Sequence, residues 1–115
     1  MPKSAFGGMA YAQRYRDAHL AEAALDTVSK HASALLIAGN GHVRTDRGVA
    51  WYIRQRSAST KTLSVMFVEA EDGQTGVAGY VPRDSEGRAA ADFLVVTPRA
   101  ARADPCEAFK SKKPG

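Results

Sequence analysis

The chain has 115 residues, enough for one small domain at most. An apolar share of 44% is ordinary for a globular protein and excludes disorder as the default. Sixteen basic and twelve acidic residues leave a net charge of +4, a mild excess that suits an anionic ligand or a membrane surface and does not single out nucleic acid.

Met1 to Gly8 (MPKSAFGG) reads as a leading loop. Met9 to Lys30 reads as one long helix, since no glycine or proline interrupts it and alanines dominate. Tyr11, Tyr15, Ala18, Ala21, Leu25 and Val28 recur at spacings of 4, 3, 3, 4 and 3, which marks an apolar face. Arg14 and Asp17 are three apart and are expected to pair on the exposed side. Ala34 to Ala38 (ALLIA) is a short apolar run of strand length, and it stops at Gly39-Asn40-Gly41.

After the loop Gly39–Gly48, Val49 to Arg56 (VAWYIRQR) reads as a short helix and residues 57–60 as a polar linker. Thr62 to Ala70 is β-branched and aromatic, as a strand requires. A glycine-rich acidic turn covers 71–79, and 80–91 is irregular, broken by Pro82 and Gly87. Asp92 to Thr97 (DFLVVT) is a third strand, ended by Pro98, and 99–115 is a charged tail. The order helix, strand, helix, strand, strand implies an α/β fold: a mostly parallel sheet with flanking helices. Three strands make a thin sheet, so a second chain or a missing half is expected to complete it.

The loop leaving an apolar strand is where open α/β sheets bind ligands. His42, Arg44 and Asp46 lie there. An imidazole between glycines can ligate iron or zinc or donate to a ligand, and it can equally be a structural histidine bonded to a loop carbonyl. Arg44, Asp46 and Arg47 can brace the loop by ion pairs, and Asp46 also has the place of a helix N-cap. Tyr11 and Tyr15 read first as core. His19 is placed to reach the sheet edge, and His31 is explained by the helix C-terminus. Trp51 and Tyr52 read as core and rim of the short helix. Among the carboxylates, Asp17, Asp46 and Glu69 show no ligand spacing with a histidine.

Cys106 is the single cysteine and has no basic or histidine neighbour to activate it. There is no C-x-x-C pair and no G-x-S-x-G elbow. No apolar stretch approaches the roughly 20 residues that cross a bilayer, and no signal-peptide h-region follows Lys3. Apart from Lys110, Lys112 and Lys113 the basic residues are scattered, and there is no reader motif, so nucleic acid is not an expected partner.

Three segments together carry a family likeness: Tyr11-Ala12-Gln13-Arg14-Tyr15-Arg16-Asp17, then Ile37 through Val49, then Asp104-Pro105-Cys106. They resemble the ChaN-like haem-binding uptake proteins of the wider Tiki, TraB and erythromycin-esterase-like superfamily. Gly39 to His42 fit that superfamily's G-x-x-H motif in order. The resemblance implies an α/β domain about twice this length, of which this chain is the C-terminal half. It implies a bacterial role in iron uptake, often as an outer-membrane lipoprotein, with haem held at a dimer interface through tyrosine and histidine.

On that likeness His42, Arg44, Tyr11 and Tyr15 are the expected haem-binding residues, with Arg44 suited to a haem propionate and His42 also able to hold a divalent metal. Gly39, Asn40, Gly41, Asp46, Arg16 and Asp17 belong to the motif and its loop, with Arg16 and Asp17 expected to pack against it. Expected partners are haem and either a second copy of the chain or a missing N-terminal half, with membrane association through a lipoprotein signal that this sequence lacks. The family implies periplasm or outer membrane; the chain taken as complete implies the cytoplasm. Two departures bear on activity. The family's N-terminal half, with its Gly-Glu and histidine motif, has no counterpart, and Ala50 stands where proline is common. A haem-binding protein that is not an enzyme is therefore the leading expectation, and a remnant of a metal-dependent hydrolase or an inactive truncated fragment are the alternatives.

Overall fold

The computed structural model describes residues 2–110. Lys112 and Lys113 of the charged tail lie outside the described residues.

Helix α1 runs Ser4–His31. It starts inside the segment expected to be a loop: the amides of Ala5 and Phe6 bond to the carbonyls of Pro2 and Lys3, so the first turn forms without a side-chain cap. Its C-terminus closes on Ala32, at φ 64°, whose N–H donates to Val28 O. The buried stripe of α1 keeps the expected Ala18, Ala21, Leu25 and Val28 but not the two tyrosines. Asp17 and Ala21 are buried and Gln13, Leu20, Ala24 and Val28 half-buried, whereas Tyr11 and Tyr15 are 69% and 58% exposed. Asp17 occupies the centre of that stripe, so it does not pair with Arg14, whose Nε donates to Ala10 O.

A four-residue helical turn, α2 (Asn40–Val43), stands where a Gly-Asn-Gly turn was expected. Helix α3 is Val49–Arg56, as its sequence predicts. Its Val49 and Ile53 pack with Ala21 to form the core, with Leu20, Ala24, Leu25, Leu36 and Tyr52 around them. Arg56 reaches across to donate to Ala18 O and ties α3 to α1. Trp51 projects outward, edge-on to Tyr52.

The sheet has two parallel strands, β1 (Val65–Glu69) and β2 (Phe93–Thr97), in register from Val65↔Phe93 to Glu69↔Thr97. This is the expected α/β class with a parallel sheet, but residues 34–38 do not join it. They carry no regular secondary structure, and no backbone hydrogen bond of theirs occurs among the described residues. An apolar groove lies between this segment and the lead into β1, so the run has strand composition and no ladder partner. Leu35 and Ile37 are 88% and 89% exposed, and only Leu36 turns into the core. On the sheet, Met66 is buried, while Val65, Phe67, Phe93 and Val95 share the other, exposed apolar face, whose Val65 and Phe67 also line the groove beside α1 and α3.

Between the strands, a 3₁₀ turn covers Val77–Tyr80, and Arg83 bridges to Ala89 in the region expected to be irregular. The tail contains one further turn of helix, α4 (Glu107–Lys110).

Candidate functional site

The residues joining 34–38 to α3 fold against both the helix pair and the sheet. The Asn40 amide donates to Phe67 O at 2.8 Å, fixing the start of α2 on β1. The Ser64 hydroxyl donates to Val43 O and fixes its end. Thr45 N–H donates to Ala90 O at 2.9 Å, tying the loop to the lead into β2. Gly48 closes the loop: its N–H bonds to Arg44 O at 3.0 Å, and a Cβ there would collide with His42 O and lie 2.6 Å from Arg44 O. Gly39 and Gly41 meet no such crowding, so the tight position is the third glycine of the segment.

This anchoring brings His42 onto α1. Its Nδ1 lies 2.6 Å from Asp17 Oδ1. Asp17 is 2% exposed, and the His42 side chain is 21% exposed. Gln13 places its side-chain amide 2.9 Å from the same nitrogen. A carboxylate only accepts, so the 2.6 Å contact with Asp17 puts the proton on Nδ1; Gln13 Nε2, itself a donor, packs beside that N–H without bonding to it. Nε2 has no hydrogen-bond partner among the described residues, and it is not a buried unpartnered atom. It is the nitrogen left free to bind a ligand. His42 belongs to the wall of a groove of about 650 Å³ between α1, residues 34–38 and the lead into β1, lined chiefly by Leu, Ile, Val and Ala side chains.

Arg44 and Asp46 form a two-point ion pair, Nε to Oδ1 at 2.9 Å and a terminal nitrogen to Oδ2 at 2.8 Å. The Arg44 hydrogen bond holds the Asp46 carboxyl below its usual range, and the same bond raises the Arg44 guanidinium. Arg44 also donates to Arg83 O at 3.1 Å. The pair braces the loop. Asp46 does not cap α3: Gly48 is the N-cap, with no side-chain bond.

Of the expected site residues, the structure brings together His42, Asp17 and the loop of Gly39, Asn40 and Gly41, with Arg44 and Asp46 beside it. Tyr11 and Tyr15 lie on outward positions of α1, away from its buried stripe, and Arg16 is exposed. His19 is also exposed; it stacks on Tyr15 with ring centroids 4.4 Å apart and faces Glu22, so it does not reach the sheet edge. Asp17 packs on the Gly39 loop as the likeness implies, but its bond to His42 and the place of Gln13 beside it were not read from the sequence. The signal for them is two polar residues four apart, in line with Ala21 and Ala24, at the centre of a stripe of small and apolar residues. No group of three or more His, Cys, Asp and Glu placed to hold a metal ion occurs among the described residues.

A second hollow, of about 940 Å³, opens beyond the C-terminal ends of β1 and β2. It is polar; Arg99 pairs with Asp72 at 3.1 Å and Arg102 with Glu69 at 2.5 Å, and Glu71 also lines it.

Residues 1–53 match the family described as haem-binding uptake, Tiki superfamily, ChaN. The ChaN match takes in α1, α2 and most of α3, and therefore Gln13, Asp17, His42, Arg44, Asp46 and Gly48. It covers less than half of the chain and lies at the N-terminal end, so the expectation of a C-terminal half gains no support from it. β1, β2 and Asp104-Pro105-Cys106 fall outside the ChaN match. No curated protein and no solved structure matches the chain.

Proposed function

We propose that this chain binds haem, with His42 as the residue that meets the iron. The observation that carries this reading is the free Nε2 of an imidazole whose other nitrogen is engaged, on a loop that borders an apolar groove. The donor chemistry fits: a neutral imidazole nitrogen is a normal axial ligand to haem iron, and a porphyrin needs apolar walls. Haem, if held there, would supply an iron centre able to take a ligand from His42. The chain's part is to present Nε2 and to exclude water along Leu36, Val49 and Ile53. The similarity of residues 1–53 to haem-binding uptake proteins supports the same reading.

The finer parts follow from the family. A bacterial role in haem or iron uptake, at the periplasm or outer membrane and with lipoprotein anchoring, is the setting we propose. A second copy is the proposed partner, its support being the exposed apolar face of Val65, Phe67, Phe93 and Val95. Tyr11 and Tyr15, exposed on α1, are available to a neighbouring copy as further iron ligands. Arg44 enters this reading as the brace of the His42 loop.

The test is a haem titration followed by the Soret band, comparing the wild type with His42→Ala. A saturable shift that weakens at least tenfold in the variant is expected. A folded wild type that produces no Soret shift refutes haem binding, and an equal shift in both proteins moves the site away from His42.

A further inference from the structure

The Asp17 carboxylate is placed where helix packing alone would call for an apolar side chain. It lies in the buried stripe of α1 between Gln13 and Ala21, at 2% exposure, and its one side-chain hydrogen-bond partner among the described residues is His42 Nδ1 at 2.6 Å. Burying a carboxylate is costly, and here the cost is offset only through the imidazole. An acceptor-only group at this distance selects the tautomer with the proton on Nδ1, so the lone pair resides on Nε2. A carboxylate drawing on the Nδ1 proton also gives the ring part of the character of an imidazolate. That makes Nε2 a stronger donor, which favours iron(III) over iron(II).

We infer that Asp17 is a positioning residue that fixes His42 in the Nδ1–H form and biases the site toward ferric haem. The inference rests on the haem reading of His42 and adds to it an oxidation-state preference and the residue that sets it. Asp17 does not touch the haem. It acts through the imidazole, as a carboxylate behind a metal-bound histidine does. Gln13, on the same stripe one turn earlier, packs its amide Nε2 2.9 Å from the same ring nitrogen and limits the space open to the ring.

Two experiments test this. The first uses the uniformly ¹⁵N-labelled wild type without haem and reads the His42 ring nitrogens by long-range ¹⁵N–¹H correlation. A protonated Nδ1 and an unprotonated Nε2 at neutral pH are expected, and the reverse assignment overturns the inference without any variant. The second compares ferric and ferrous haem binding in wild type, Asp17→Asn, Asp17→Glu and His42→Ala. For Asp17→Asn the ferric affinity is expected to fall about 10–100-fold and the ferrous affinity less, so that the reduction potential of the bound haem rises. Asp17→Glu, which keeps the carboxylate, is expected to lie closer to wild type. Equal losses in both oxidation states, or no loss in a folded Asp17→Asn, overturn the assignment of Asp17 while binding still depends on His42. Unchanged haem binding in His42→Ala moves the haem site away from His42 and removes the oxidation-state preference set through it.

Discussion

The α-carbon of Gly48 packs against the carbonyl oxygen of His42, leaving no room there for a β-carbon. That contact holds the end of the loop against its beginning and so fixes where the imidazole lies. A methyl group at 48 must push away backbone, which cannot yield as a flexible side chain can. Gly48→Ala is therefore expected to cost on the order of 3 kcal/mol, a fall in melting temperature of roughly 10 °C or more for a domain of this size. Gly39→Ala provides the contrast. The nearest atom to a Cβ there is His42 Cδ2 at 4.0 Å, and φ is −63°, so a change within about 0.5 kcal/mol is expected. Thermal unfolding of the two variants checks both, and equal losses would refute the assignment of the tight turn to Gly48.

Gly7 and Gly8 lie inside α1, and nothing is within 4 Å of a Cβ built on either. A helical glycine loses more backbone entropy on folding than alanine. Gly7→Ala and Gly8→Ala are each expected to stabilise by about 0.5–1 kcal/mol, toward the lower figure because the first turns of a helix fray. Far-ultraviolet circular dichroism of the double variant should show a higher helix content and a higher melting temperature. A loss of stability would mean that residues 4–8 are not helical in solution.

The parts of the fold set by short-range chemistry were legible in the sequence. Helix α3 is bounded by Gly48 and the polar linker after Arg56 and falls where the pattern puts it, and β1 and β2 lie inside the runs 62–70 and 92–97, β1 starting three residues late at Val65. The run 34–38 has the same composition as a strand, but a strand exists only where a neighbour accepts its ladder, and no local pattern reports the absence of that neighbour. The site was legible by halves. His42 stands out because of the glycines around it, whereas Asp17 reads by its spacing from Arg14 as a surface charge and only the family likeness brings it to the loop. Its role depends on a contact between residues 25 positions apart, which periodicity alone does not reveal.

The Arg44–Asp46 pair gives a pH dependence with a definite sign. Asp46 is held below its ordinary value of 3.8, first by the Arg44 hydrogen bond, so it stabilises the fold at pH above that value. The contribution is lost as pH falls through the lower, folded-state value. Asp84 is also held low, first by the backbone N–H of Arg88, and contributes in the same direction. Asp46→Asn should therefore cost on the order of 1–2 kcal/mol near neutral pH, a hydrogen-bonded pair being partly screened by solvent at this depth. The difference between variant and wild type should narrow as pH is lowered from 5 toward 2, with Asp84 keeping some acid sensitivity in both. Urea unfolding at a series of pH values measures it, and a constant difference across that range would mean that the pair does not brace the loop.

Phe67 offers the sharpest test of the proposed second copy. It is 59% exposed in the middle of the apolar sheet face, beside Val65 on its own strand and opposite Val95 in register. Because its side chain contributes little to the core of one chain, Phe67→Lys is expected to change the melting temperature of an isolated chain by only a few degrees. A lysine at the centre of a buried face would instead require desolvating an ammonium, which an apolar contact cannot compensate. Light scattering after gel filtration should find the wild type as a dimer and Phe67→Lys as a folded monomer. A wild type that is monomeric at micromolar concentration, with and without haem, would remove the second copy. A dimer that survives the substitution would place the contact elsewhere, with the exposed α1 face of Tyr11 and Tyr15 the next surface to test.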